Sequence, residues 1–296
     1  MKSGMISIVG RPNVGKSTLI NNILGKKIAI TSDKSGTTRN IILGVYNDDD
    51  SQIVLIDTPG IHKPTYKLDK VLNDKSYLMT NPASVILFMV DISKGFGKGD
   101  RFVLNKIEES NNNIILILNK IDKIDKDKLI KEIDLISKEY NFKEIIPISS
   151  LKGININELI KTIKNYLPDE GKYYEDDYLT NQPESLIITE RVREKVLHLT
   201  KDEVPHTVTC ICDSLYQDEK LIKASVTIVV DRDNLKKILI GKNGSMLKKI
   251  GTKARIDLED FFNKKVYLSL YVKVIKNWRD KDNLIADLGL KDDLDE

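Results

Sequence analysis

The chain is poor in the residues that build covalent or metal-bound frameworks: its 296 residues hold two cysteines, three histidines and one tryptophan. With no second cysteine pair to complete a ligand set, a structural zinc site is not expected. Cys210 and Cys212 are instead read as packing residues on opposite faces of a sheet, in a reducing compartment. Long apolar runs are lacking too. The longest, Ala83 to Val90 and Ile114 to Leu118, fall far short of a bilayer span. Met1-Lys2-Ser3-Gly4 leads into a strand-like run rather than an apolar signal segment, so a cytoplasmic protein is expected. Charge of one sign is also missing. Lys and Arg number 47 against 44 Asp and Glu, so net charge alone excludes no class of partner. The length favours two domains, each able to bury its own core.

What is present starts with Gly10-Arg-Pro-Asn-Val-Gly-Lys-Ser17. It fits Gly-x4-Gly-Lys-Ser, follows the β-branched run Met5 to Val9 and precedes Thr18 to Leu24, which has helical spacing. Glycines let successive backbone N–H groups converge on anionic oxygens, and the helix that follows adds the positive end of its dipole. Gly10, Asn13, Val14, Gly15, Lys16, Ser17 and Thr18 are therefore candidate phosphate contacts. Lys16 is expected to bridge the β- and γ-phosphates, and the Ser17 hydroxyl to ligate Mg²⁺.

From residue 5 to about 168, apolar runs alternate with helical patterns: Ile6 to Val9, Ile53 to Ile56, Val85 to Val90, Ile114 to Leu118 and Ile145 to Ile148. Runs apolar on both faces suit a buried parallel sheet, so the expected fold is α/β, a doubly wound, mostly parallel sheet over residues 1–170. Ligands in such sheets lie beyond the carboxyl ends of the strands. Asp57-Thr-Pro-Gly60 follows one run, with Asp57 placed to hold Mg²⁺ and the Gly60 amide to meet the γ-phosphate. Asn119-Lys120-Ile121-Asp122 follows another. A carboxylate at Asp122 accepts from the ring N–H and exocyclic amine of guanine and finds no such pair on adenine. Ser149-Ser150-Leu151-Lys-Gly153 follows the last run and offers backbone to the guanine O6. Between the first two runs, Thr31 to Asn40 carries a threonine to close over Mg²⁺ and γ-phosphate, Thr38 in the first place and Thr37 as the alternative.

Five motifs in this order resemble the GTP-binding domain of the translation-factor class of GTPases. The resemblance implies GTP/GDP and Mg²⁺ as ligands, with Ser17, Thr38 and Asp57 around the metal and Lys16, Thr38, Gly60 and Asn13 acting on the γ-phosphate. Ile61 stands where many such proteins place a water-orienting glutamine, and an aliphatic side chain cannot orient water, so slow intrinsic turnover is expected. Related members hold K⁺ through an asparagine matching Asn13, which makes stimulation by K⁺ an expectation.

Residues 171–183 break the alternation with glycine, proline and an acidic cluster, and are read as a linker. Residues 184–296 then give helix, two strands, helix, Gly241-Lys242-Asn243-Gly244, helix and strand. That is the αββααβ order of a type II KH domain, smaller and α+β. Glycines at 241 and 244 allow a sugar–phosphate backbone to approach, and Lys242 can meet a phosphate. In the next helix Leu247, Ile250, Ala254, Leu258 and Phe261 form an apolar stripe, with Lys248, Lys249 and Lys253 off it. Residues 232–265 hold ten Lys and Arg against four Asp and Glu, whereas residues 171–296 are balanced at twenty-two against twenty-three. The basic charge is local to the tetrad, as a nucleic-acid groove requires. Ile238 and Ile240 are candidates for its floor, with core packing the favoured role for both.

A GTPase domain followed by a type II KH domain resembles the bacterial ribosome-assembly GTPase family Era. Arg193-Glu-Lys195, Asp202-Glu-Val-Pro205, Asn277-Trp-Arg279 and Leu288-Gly-Leu290 extend the likeness over nearly the whole chain. The resemblance implies binding of the single-stranded 3′ end of 16S rRNA, a role in maturation of the 30S ribosomal subunit and a monomer. It also implies a peripheral association with the inner face of the cell membrane, for which no anchor is visible here.

Overall fold

Strands apolar on both sides need helices on both sides, and the first part of the chain supplies them. The computed structural model describes residues 1–34, 36–110, 113–201 and 204–288. Ser35, Asp202, Glu203, Gly289 and Leu290, all within stretches singled out above, lie outside the described residues. Strands β1 (Lys2–Gly10), β2 (Ile42–Asn47), β3 (Ser51–Asp57), β4 (Val85–Asp91), β5 (Asn113–Asn119) and β6 (Glu144–Pro147) form a sheet in the order β2-β3-β1-β4-β5-β6. All neighbours are parallel except β2 and β3. Helices α1 (Lys16–Leu24), α2 (Lys67–Leu78), α3 (Lys98–Ile107), α4 (Lys126–Glu139) and α5 (Ile156–Asn165) connect them. On one face Ile6, Ile8, Leu87 and Ile117 pack with Leu19 and Ile20 of α1 and Leu159 of α5. On the other Val9, Phe88 and Leu116 pack with Val103 and Leu104 of α3 and Ile136 of α4. The doubly wound sheet is as expected. Strand order reverses beside β1, so the crevice at its carboxyl end is the natural ligand position.

β2 was not expected, because Gly44 interrupts its short apolar run. That glycine is needed there: a Cβ would lie 2.6 Å from Leu24 Cδ1 and 2.8 Å from Ile28 Cδ1. The segment read as a linker is tied down as well. Val45 N donates to Leu179 O (3.0 Å), Asn47 Nδ2 to Asp176 O (3.2 Å), and Gln52 Oε1 accepts from the amides of Tyr173 and Tyr174. An edge strand otherwise leaves backbone groups unpaired, and this segment satisfies the amides of Val45 and, through Asn181 Oδ1, of Leu43. The first compact unit accordingly runs to Asn181 rather than ending near 170.

The second unit comprises Gln182 onward together with Ser32–Thr37 and Tyr66–Leu68. Its elements are α6 (Glu184–Leu199), α7 (Val204–Thr207), β7 (Thr209–Gln217), β8 (Leu221–Val230), α8 (Asp233–Ile240), α9 (Ser245–Phe262), β9 (Lys265–Val274) and α10 (Asp282–Asp287). The sheet order is β7-β8-β9, the first pair antiparallel and the second parallel. With the four-residue α7 as an addition, this is the KH order expected. Cys210 and Cys212 do not face opposite sides: residues two apart on a strand share a face, and they pair with Ile228 and Val226 on the same side of β8. Both are free thiols.

Helix α6 buries charge as well as apolar surface. Arg193 is bonded to Glu190 and donates to the carbonyls of Gly36 and Thr37, while Lys195 pairs with Glu194 and with Asp257 of α9. Arg191 lies 5.2 Å from the Phe261 ring centroid. Each buried charge thus has a partner, the condition under which burial is tolerated. Trp278 is fully buried and its Nε1–H donates to Thr207 O at 2.7 Å. Trp278→Ala should destabilise this unit by about 3–5 kcal/mol. The check is the urea midpoint of the transition that reports the second unit; a midpoint unchanged from wild type contradicts the role assigned to this side chain.

Candidate functional sites

The first site is built where β1, β3, β4 and β5 end. Gly10, Asp57, Asp91 and Asn119 each close one of these strands. The turn from β1 into α1 needs its glycines: Gly15 has φ +112°, and a Cβ there would lie 2.3 Å from Asn119 Nδ2. Gly60 has the same constraint, since a Cβ would lie 2.7 Å from Pro12 Cα. The loop after β3 therefore touches the phosphate loop by backbone, and Ile61 N donates to Gly10 O at 3.1 Å. The Ile61 side chain is fully buried in the core, so it does not face reacting groups.

Ser17 Oγ is 2.9 Å from Thr38 Oγ1 and donates to Asp57 Oδ2 at 2.7 Å. The structure thus brings together the three side chains expected around the metal. It places Thr38 there and not Thr37, whose hydroxyl donates to Lys34 O at 2.6 Å. Asp57 Oδ1 is buried with no hydrogen-bond partner. An orphaned carboxylate oxygen beside two hydroxyls fits a hard divalent cation with oxygen ligands. Burial pushes the Asp57 carboxyl up to about 6, with Lys16 and the Ser17 and Thr38 hydroxyls pulling the other way. Burial also lowers the Lys16 ammonium to about 8, opposed by Asp57. Lys16 Nζ donates to the carbonyls of Gly10 and Arg11, both at 3.1 Å, which holds it at the loop.

The base side of this site is equally connected. Asn119 Nδ2 donates to Val14 O (2.7 Å) and its Oδ1 accepts from the Ser150 amide (2.9 Å), so it ties the phosphate loop to the loop after β6. Lys120 Nζ donates to Asn13 O and to Asp91 Oδ2, both at 2.7 Å. Sequence reasoning passed over Asp91, although an acid at the end of β4, in register with Asn119, was the available signal. Burial raises the Asp91 carboxyl, but bonds from Lys120 and Ser93 outweigh it and hold the pKa below the ordinary value. Asp122 is exposed, and one of its oxygens accepts from Ser149 Oγ at 2.5 Å. The amides of Ser149, Ser150 and Lys152 are all taken up within the protein, which leaves that of the exposed Leu151 for a base. Asn13 sits in the left-handed region, φ 64°. Val14 is buried and Thr18 half-buried in the first turn of α1.

The second site lies between α9 and β9. A cavity of about 360 Å³ is lined by Gly244, Leu247, Lys248, Gly251, Thr252 and Arg255 on one wall and by Leu268 and Leu270 on the other. The helical residues recur every three or four positions, on a side of α9 that flanks the buried Ile250, Ala254 and Leu258 about a quarter-turn round the helix. Gly241 (φ 70°) and Gly244 (φ 77°) shape the turn, with Lys242 and Asn243 exposed at its tip. Lys248 lines the cavity; Lys249 and Lys253 are exposed but not among its lining residues. Ile238 and Ile240 do not form the floor. Leu247, Leu268 and Leu270 supply the apolar lining instead, because the side of α9 that carries Gly251 lies against Leu270 of β9. The signal for this wall was weak, as alternation along β9 does not say which side meets the helix.

Two family models match the chain, a 50S ribosome-binding GTPase over residues 5–120 and a KH domain over 203–279. Among solved structures, Era in complex with MgGDPNP and nucleotides 1506–1542 of 16S ribosomal RNA is 41% identical, with TM-score 0.95, covering 98% of this chain and 99% of that one. A variant of Aquifex aeolicus Era bound to GDP and AlF4⁻ is similar to the same degree, again 41% identical with TM-score 0.95 over 98% and 99%. With both sites present and the likeness running over nearly all of both chains, this chain belongs to the Era family of GTPases.

Proposed function

We propose that the chain is a GTP-binding and GTP-hydrolysing switch that acts as a monomer in the cytoplasm, holds the 3′ end of 16S rRNA in the α9–β9 groove and assists assembly of the 30S subunit. The observation that carries this reading is the presence in one chain of the Ser17–Thr38–Asp57 cluster and the glycine-flanked groove. Lys16 and the loop amides orient the β- and γ-phosphates, Asp122 and the Leu151 amide select guanine, and the Gly60 amide meets the γ-phosphate. Mg²⁺, when bound by Ser17, Thr38 and Asp57, neutralises charge between the phosphates. Ile61, turned into the core, leaves the attacking water without a side-chain partner, so unaided hydrolysis is slow.

Nucleotide state reaches the RNA domain through one peptide bond. Thr38 is bonded at the metal cluster, and the preceding carbonyl, that of Thr37, accepts from Arg193 within the second unit. Loss of the γ-phosphate releases Thr38 and with it the geometry of Thr37. RNA affinity should therefore differ about 5–150-fold between GDP and a non-hydrolysable GTP analogue. Fluorescence anisotropy with a labelled 3′-end oligonucleotide measures it, and equal affinities in the two states contradict the coupling. Gly244→Asp should abolish RNA binding with GDP binding intact. Both glycines have positive φ, which Asp tolerates better than most side chains, and of the two 244 suits the test better, because a Cβ there meets nothing within 4 Å whereas at Gly241 it would lie 2.9 Å from Met246 N.

The metal cluster makes a pH prediction. Only ionised Asp57 ligates Mg²⁺, and its carboxyl titrates near 6 in the free protein, so the gain in GDP affinity on adding Mg²⁺ should shrink about tenfold per pH unit below that point. In Asp57→Asn the gain should be small at every pH. A wild-type gain constant from pH 5 to 8 refutes the assignment. Potassium is the remaining expectation: GTP hydrolysis should run faster in K⁺ than in Na⁺ buffer, and Asn13→Ala should remove the difference. Equal wild-type rates in the two salts would dismiss it.

A further inference from the structure

Strand β9 has two sides, and only one belongs to the groove. Leu268 and Leu270 line the cavity, so the residues between and beside them, Tyr267, Ser269 and Tyr271, point the other way. Tyr267 pairs with Lys223 of β8, which in turn pairs with Tyr216 of β7. Ser269, Ser225 and Ser214 form the next row, and Tyr271 and Thr227 the one after. This outer face of the sheet carries three tyrosines at 64% (Tyr267), 59% (Tyr271) and 57% (Tyr216) exposure. Tyr267 and Tyr271 stand about 13 Å apart along the strand, and Tyr216 about 10 Å across from Tyr267. Ser269 separates Tyr267 from Tyr271 along β9, and Lys223 stands between Tyr267 and Tyr216 across the sheet.

The charge on this face is positive. Lys265, Lys223 and Lys273 fall on the same side by alternation and register. Lys223 Nζ lies 5.8 Å from the Tyr216 ring centroid. Asp213 accepts a hydrogen bond from Thr227 Oγ1 at 2.8 Å, and Asp218 and Glu259 lie near enough to feel the charges of Lys223 and Lys265. Exposed aromatic rings set among lysines on a flat sheet are the components of a platform for unpaired bases: rings stack on bases of any sequence, and ammonium groups follow the phosphates. Continuity points to the occupant. β9 ends the sheet, so a strand leaving the groove floor at Leu268 and Leu270 needs only to pass over this one edge to reach Tyr267 and Tyr271.

We propose that the outer face of the β7–β8–β9 sheet is a second RNA-contact surface, on which Tyr267, Tyr271 and Tyr216 stack bases of the single strand that the groove holds. The proposal rests on the reading of the groove as an RNA site, and the test separates the two. The full chain, loaded with a non-hydrolysable GTP analogue, is titrated against a four-nucleotide RNA that fills the groove and against a twelve-nucleotide RNA that contains it. Wild type should bind the longer RNA at least about tenfold tighter. Tyr267→Ala with Tyr271→Ala should lower the affinity for the longer RNA about tenfold or more and leave the shorter one unchanged. Tyr267→Phe with Tyr271→Phe, which keeps the rings, should behave as wild type and shows that the loss is not one of folding. If the alanine pair binds the longer RNA as wild type does, the platform is refuted and the groove stands. If wild type binds neither RNA, the groove reading fails and takes the platform with it. Vesicles of phosphatidylglycerol and phosphatidylethanolamine form the last arm: binding to them that the alanine pair loses, with RNA affinity unchanged, overturns the proposal in favour of a lipid surface.

Discussion

A lysine and an aspartate of opposite charge, one at the start of α1 and the other at the end of β3, both withdrawn from water, set the terms for the first unit. Neither Lys16 nor Asp57 is comfortable there: burial moves the pKa of each toward its neutral form. The surrounding structure compensates only in part. Two carbonyls hold the ammonium, one hydroxyl donates to one carboxylate oxygen, and the other oxygen is left without a partner. A site that is incompletely satisfied in isolation is completed by a ligand carrying negative phosphates and a divalent cation, each meeting the charge that lacks a partner. The glycines follow from this demand, since a side chain at 15 or 60 would separate the loops that must enclose the ligand.

The sheet and the nucleotide motifs were legible in the sequence because they rest on short-range rules. Apolar runs buried on both faces mark parallel strands without reference to anything distant, and the phosphate loop states its own turn. What was hidden depends on partners far along the chain. β2 reads as a broken run until α1 and Ile28 are seen lying against Gly44. The acidic stretch near 175 reads as a solvated linker, since nothing local says that its backbone is held by the side chains of Asn47 on β2 and Gln52 on β3. Asp91 is one acid among 44 acidic residues until Lys120 is found 2.7 Å away.

Helix α6 shows the same limit from the other direction. Arg193, Glu194 and Lys195 are three charged residues in succession, a pattern usual in solvent, yet all three are buried. Charges on a buried helix face restrict which neighbours can pack there, because each neighbour must bring the complementary group: Asp257 from α9 and the carbonyls of Gly36 and Thr37. Apolar residues would tolerate many packings at similar cost, whereas an unpaired buried guanidinium tolerates almost none. Ser32–Thr37 is therefore held by a geometry-sensitive contact rather than by a hydrophobic one. That suits a segment whose neighbour, Thr38, lies beside Ser17 in the phosphate-loop cluster.

Alternation along β9 extends this argument to function. In a strand the two faces are independent surfaces joined by one backbone, so a strand at the end of a sheet can serve a groove on one side and open solvent on the other without compromise. Leu268 and Leu270 are constrained by α9, and a change at either alters cavity shape. Tyr267 and Tyr271 bear no such constraint, since with more than half of each side chain exposed they contribute little to the core. Strand preference for aromatic residues accounts for a tyrosine at any one of these positions. It does not account for rings at 216, 267 and 271 with Ser269 and Lys223 between them and Lys265 and Lys273 alongside, an arrangement that a polyanion with flat bases does explain.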